Sequence, residues 1–253
     1  MPKFRDDDSA PSEQHQFHGH FGYSARPIAT LGSSEFTLIG LVLDGSGSTS
    51  GFQKDLEKMA QLVVEGAQRS PRADSIMLRV VRFDSTWDEV HGFKEVNDCK
   101  APDYDGVMTP GGSTLLLDTV ANTVQALCDY GKKLRGEGFQ VNAALYVVTD
   151  GLDTHSKITP AALGKLFREA VTSEALESFL SVLIGINIQE SHVAQALGAV
   201  NQEASFSSYV QAQSADAKTL ARVGELISKS ISAQSQALGT GGPSQAPTSN
   251  PTF

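Results

Sequence analysis

Thr37 to Leu43 is a near-continuous apolar run (Leu38, Ile39, Leu41, Val42, Leu43) that leads directly into Asp44-Gly45-Ser46-Gly47-Ser48-Thr49-Ser50-Gly51. Such a run, without polar alternation, predicts a strand buried on both faces, as in a parallel sheet. The Gly/Ser stretch must be a loop, and Phe52, Leu56, Met59, Val63 and Ala67 then recur at helical spacing. This strand–loop–helix unit recurs along the chain. Residues 76–83 predict a second strand, with 86–93 returning as its antiparallel partner, and 97–112 predict a long loop. Leu116, Val120, Val124 and Leu127 mark a helix that ends before Gly136 or Gly138. Ala143 to Thr149 is another buried strand, and it too runs straight into an aspartate, Asp150.

The remaining elements follow in alternation. Leu163, Leu166, Phe167 and Ala170 define a helix opened by Pro160, a favourable first-turn residue. Residues 179–186 form an apolar strand, Val193, Leu197 and Val200 a short helix, and 206–210 a last strand. Leu220, Val223, Ile227 and Ile231 give the closing helix. Strands alternating with helices imply right-handed βαβ units. The expected fold is therefore α/β and doubly wound (Rossmann-like), with a central, mostly parallel sheet, one antiparallel edge strand and helices on both faces. Residues 35–231 make up this domain. Residues 1–34 read as a polar arm rich in His, Ser and Gly, and 232–253 as a flexible Ser/Gln/Pro-rich tail.

Composition narrows the function. A 253-residue chain with 40% hydrophobic residues can build a real core, and its net charge of −9 comes without a basic cluster. That balance argues against nucleic acid as partner and favours a cation or a basic surface. No apolar run approaches the ~18 residues of a membrane span. Met1 to Ser9 lacks the apolar segment of a secretory signal, so the expected location is cytoplasmic. Cys99 and Cys128 form neither a metal motif nor a disulfide framework. Cys128 falls on the apolar stripe of its helix and reads as core, whereas Cys99 lies in the long loop and is expected to be exposed.

In an open parallel sheet, ligands bind beyond the carboxyl ends of the strands, where strand order reverses. If the strands ending in Asp44 and Asp150 are neighbours, their carboxylates converge on one crevice. Ser46 and Ser48 add hydroxyls, and the loop Gly111-Gly112-Ser113-Thr114 offers another. Two carboxylates and three hydroxyls, without sulfur or imidazole, suit a hard divalent cation: Mg²⁺ or Mn²⁺, with Ca²⁺ as a further candidate.

Asp44-Gly45-Ser46-Gly47-Ser48 resembles the Asp-x-Ser-x-Ser signature of the von Willebrand factor A family, which opens its metal-ion-dependent adhesion site. Gly111 to Asp118 resembles the family's second segment, and Val147-Val148-Thr149-Asp150-Gly151 its third. The three stand in the family's order, and the likeness spans roughly residues 36–231. The resemblance implies that Ser46, Ser48 and Thr114 bind the cation directly and that Asp44 and Asp150 bind it mostly through water. Ser113 is the alternative second-loop ligand; Thr114 is preferred because the Leu-x-Leu-Asp that follows then falls in register. It also implies a protein ligand with an exposed Asp or Glu, and an adaptor or assembly factor of the compact prokaryotic type, some of which work beside AAA+ ATPases. Asp103, Tyr104, Asp105, Asp153 and His155 are expected on the rim, as partner contacts.

Other readings compete. Residues 44–51 alone would also serve as a strand–helix turn capped by Ser48 or Ser50. They come close to a dinucleotide fingerprint, but the third glycine is missing and Asp44 would oppose a pyrophosphate. His15, His18 and His20 invite zinc, although a polar arm accounts for them. A catalytic role finds no activated nucleophile or base beside Asp153 and His155, so an enzyme is not expected. The alternative function is a structural subunit of a larger assembly, a virion or secretion particle, in which the arms lace neighbours together.

Overall fold

The computed structural model describes residues 12–17 and 22–238. Its centre is β3 (Glu35–Asp44), buried along nearly its whole length and flanked by two parallel neighbours. On one side lie β4 (Ile76–Phe83) and, antiparallel to it, β5 (Trp87–Glu95). On the other lie β6 (Gln140–Thr149), β7 (Phe179–Gly185) and β8 (Ser208–Gln211), all parallel. The α/β, doubly wound, mostly parallel architecture expected from the apolar runs is therefore present.

Alternation along β3 explains why both faces are covered. Phe36, Leu38 and Val42 join one core with α2 (Leu116–Gly136), α3 (Pro160–Thr172) and α4 (Ser191–Ala204). Ile39, Leu41 and Leu43 join the other with α1 (Gln53–Gln68) and α5 (Ala217–Ala237). Successive side chains of a strand point to opposite faces, so an unbroken apolar run is what a two-sided core requires. Where α2 crosses β3 the fit is close: a methyl group on Gly40 would lie 2.6 Å from Thr123 Cγ2.

The structure corrects the reading of the chain ends. The segment whose composition predicts a polar arm contributes β1 (Glu13–Gln16) and β2 (Gly22–Ala25), an antiparallel pair that extends the sheet beyond β5. The antiparallel strand β5 is thus interior to the sheet. Tyr23 and Ala25 are fully buried, and Tyr23 packs on Phe93 and Tyr130. A buried ion pair locks the hairpin down. Arg79 Nε donates to Glu89 at 2.6 Å, Glu89 also accepts from the Ser24 hydroxyl at 2.6 Å, and Arg79 reaches the Gly22 carbonyl and Asn122. At the other end, α5 continues through residues 232–237, where composition predicts a flexible tail. Gln234 is buried, its carbonyl accepts from Asn142 Nδ2 at 2.8 Å, and its side-chain amide donates to Ser178. Residues 239–253, His18 and His20 lie outside the described residues, and His15 accepts from Lys133 Nζ at 2.9 Å.

Candidate metal centre

β3 and β6 pair in parallel register, so Asp44 and Asp150 sit at adjoining carboxyl ends. From β3 the chain proceeds through α1 to β4 on one side, while β6 lies on the other. This is the point of strand-order reversal where an α/β sheet opens a crevice. Asp44 Oδ1 accepts the Ser46 N–H at 2.8 Å, the turn an Asx residue makes with the backbone two residues on. The hydroxyls of Ser46 and Ser48 are 3.0 Å apart, and Ser48 donates to Asp150 Oδ1 at 2.7 Å. The hydroxyl of Thr149 donates to Asp44 Oδ2 at 2.5 Å, so both carboxylate oxygens of Asp44 are oriented. By sequence Thr149 reads only as a strand end; its signal is a hydroxyl residue closing an apolar run just before the aspartate.

Two glycines shape the loops. A methyl group on Gly45 would meet Arg82 Nε at 2.6 Å, because that guanidinium lies against the loop while bonding Asp84, Asp88 and the Thr109 carbonyl. Gly112 has a φ of +63°, the left-handed region that glycine enters without strain, and Ser85 crowds it. The Gly111 N–H donates to the Gly45 carbonyl at 3.2 Å, which seats the second loop on the first. Thr114 is buried, and its carbonyl accepts the N–H groups of Thr154 and His155. Ser113 is only half-buried.

Burial dominates the electrostatics. It raises the Asp44 carboxyl above its usual range against the hydrogen bonds from Thr149 and Ser46. It also pushes Asp150 up to about 6, opposed by the Ser48 hydrogen bond and reinforced by the Asp44 charge. Among the described residues neither carboxylate has a basic side chain as hydrogen-bond partner. Two buried acids beside the hydroxyls of Ser46, Ser48 and Thr149 form an all-oxygen donor set short of positive charge, which a divalent cation would fit. Ser48, exposed at the mouth, leaves the crevice open to solvent. Among the described residues no group of three or more His, Cys, Asp or Glu side chains is placed to hold a metal ion, so a cation here would depend on the hydroxyl groups beside the two carboxylates.

The expected rim divides. Tyr104 is fully buried, with its hydroxyl 2.8 Å from His91 Nε2, so it cannot contact a partner; the short helical turn Ala101–Tyr104 packs it inward. Asp103 pairs with Lys94 at 3.1 Å and Asp105 accepts from Gln61 at 2.7 Å. Asp153 accepts the Leu117 N–H at 3.3 Å, whereas His155 is exposed beside the crevice. Cys99 is buried, contrary to its expected exposure, and Cys128 is half-buried against the core.

No protein-family model matches the sequence, and neither does any curated protein. Solved structures of similar fold include a mutant of the PilB minor pilin from Streptococcus sanguinis, with a TM-score of 0.60 and 12% identity, covering 85% of this chain and 65% of the pilin. Another is the SpaC pilus adhesin from Lactobacillus rhamnosus GG, with a TM-score of 0.58 and 12% identity, covering 91% of this chain and 36% of the adhesin. The chain thus spans less than two thirds of either protein, and the likeness is one of fold. Among the described residues no helix is long and apolar enough to cross a membrane.

Proposed function

We propose that the crevice between β3 and β6 is a metal-ion-dependent adhesion site of the von Willebrand factor A type, and that the chain is a binding module rather than an enzyme. In this reading Ser46, Ser48 and Thr114 hold Mg²⁺ or Mn²⁺ directly, while Asp44 and Asp150 orient the waters around it. Mostly neutral direct ligands leave the cation electrophilic, so it would capture an acidic side chain from a partner protein. The observation that carries the proposal is the continuous string of contacts from Asp44 through Ser46 and Ser48 to Asp150, spanning two adjoining strand ends. Calorimetric titration of Mg²⁺ and Mn²⁺ into chelator-treated protein tests it. One saturable site is expected, weakened about 10–100-fold in Asp44→Ala and in Thr114→Ala. No binding to the wild-type protein would refute the metal site.

A second reading, a structural subunit of a larger assembly, draws support from the minor pilin and pilus adhesin among the similar folds. It predicts self-association or co-assembly that chelator does not reverse. The first predicts partner capture that chelator abolishes.

A further inference from the structure

α2 opens directly after the second metal-site loop, yet it carries no cap of its own. Leu115, at the N-cap position, makes no side-chain cap bond. The first N–H groups of a helix lack intrahelical acceptors and need partners from elsewhere. Here they are supplied by the segment after Asp150. The Leu117 N–H donates to Asp153 Oδ1 at 3.3 Å and the Asp118 N–H to Ser156 Oγ at 3.0 Å. Ser156 in turn donates to Asp153 Oδ1 at 2.5 Å. The exchange is reciprocal: Asp118 Oδ1 accepts the N–H groups of Lys157 at 3.0 Å and Ile158 at 2.9 Å. One step nearer the crevice, the Thr114 N–H donates to Thr154 Oγ1 at 3.1 Å, and the Thr114 carbonyl accepts from Thr154 and His155.

The second and third loops are therefore stitched together on both sides of Leu115. Asp118 is nearly buried, and its Oδ1 is committed to two backbone N–H groups of the opposite loop. We infer that Asp118 is a positioning residue for the cation site, acting with Asp153 and Thr154 to lock residues 114–118 to residues 153–158 so that Thr114 and Asp150 meet the ion as one preformed unit. The inference rests on the metal-site reading above. Its physical content is preorganisation: without the clamp, binding must also order the loops.

The test is Mn²⁺ titration of the full chain: wild type, Asp44→Ala, Asp118→Ala, Asp118→Asn, and Leu220→Ala as a core control on α5, across the sheet from the clamp. Asp118→Ala is expected to weaken Mn²⁺ about tenfold or more. Asp118→Asn keeps the acceptor oxygen and should stay close to wild type. Leu220→Ala should lower the melting temperature without moving the affinity. Saturating Mg²⁺ should also slow amide exchange at Lys157 and Ile158 in the wild type and not in Asp118→Ala. If Asp118→Ala does not fold, Thr154→Val, at an exposed position, is judged by the same criteria. Wild-type affinity in the clamp variant, or an equal loss in Leu220→Ala, would overturn the positioning role while leaving the site itself intact. Absence of binding in the wild type would overturn both.

Discussion

Asp44 and Asp150 are held in a buried crevice by neutral hydrogen-bond donors, at a cost that depends on pH. The folded state keeps the Asp150 proton up to about pH 6, whereas an unfolded aspartate releases it near its ordinary value of about 3.9. Between these values the folded state binds more protons, so stability falls as pH rises through the window and levels off above it. Asp150→Asn removes the buried charge while leaving an acceptor for Ser48. At pH 7.5 the metal-free variant is expected to be more stable than wild type by about 1–2 kcal/mol, and the gap should close toward pH 4.5. Melting curves across that range check this, and a variant less stable than wild type at pH 7.5 would contradict it. Asp44→Ala should lose metal affinity but keep its far-ultraviolet circular dichroism spectrum, because the cores on both faces of the sheet do not involve the crevice.

Elements in this fold are joined by a few long-range polar contacts that periodicity does not announce. The Arg79–Glu89 pair ties β4 and β5 to the hairpin through Ser24 and Gly22 and to α2 through Asn122 and Thr123. Removing one partner of so buried a pair leaves an uncompensated charge, so Glu89→Ala should destabilise by about 3–5 kcal/mol in guanidinium unfolding. A double change to apolar residues, Arg79→Met with Glu89→Leu, should cost much less. The β3–α2 contact is tight in a different way. Gly40→Ala places a methyl group against the branched side chain of Thr123 and should cost about 1–3 kcal/mol. Thermal denaturation of that variant would show whether α2 can shift to admit it.

For the molecule as a whole, the hairpin β1–β2 is held to the sheet more by its side chains than by its backbone ladder. β2 meets β5 in only a short parallel register, supplemented by the Arg26 N–H to the Phe93 carbonyl at 2.9 Å. Its side chains nevertheless cover Phe93 and Tyr130. Deleting residues 1–26 should leave a folded chain that melts on the order of 10 °C lower and binds hydrophobic dyes. Loss of the cooperative transition altogether would show that the hairpin is integral to the core.

Much of this architecture was legible from residue order because it rests on local rules. Unbroken apolar runs marked β3, β6 and β7 as doubly covered strands, 3.6-residue spacing marked the helices, and the two runs ending in Asp44 and Asp150 pointed to one crevice. Each of these signals is carried by residues adjacent in sequence. What only the tertiary structure decided lies between distant segments. β1 and β2 were hidden because four-residue strands at a sheet edge need little apolar patterning. Tyr104 was placed on the surface because a loop has no period from which to read burial. Thr149 as the brace of Asp44, Arg79 as the partner of Glu89, and the capping of α2 by residues 153–156 all join groups whose proximity depends on strand order. Strand order is set by how the two apolar faces of the sheet are covered at once, a condition on the whole chain that no local window contains.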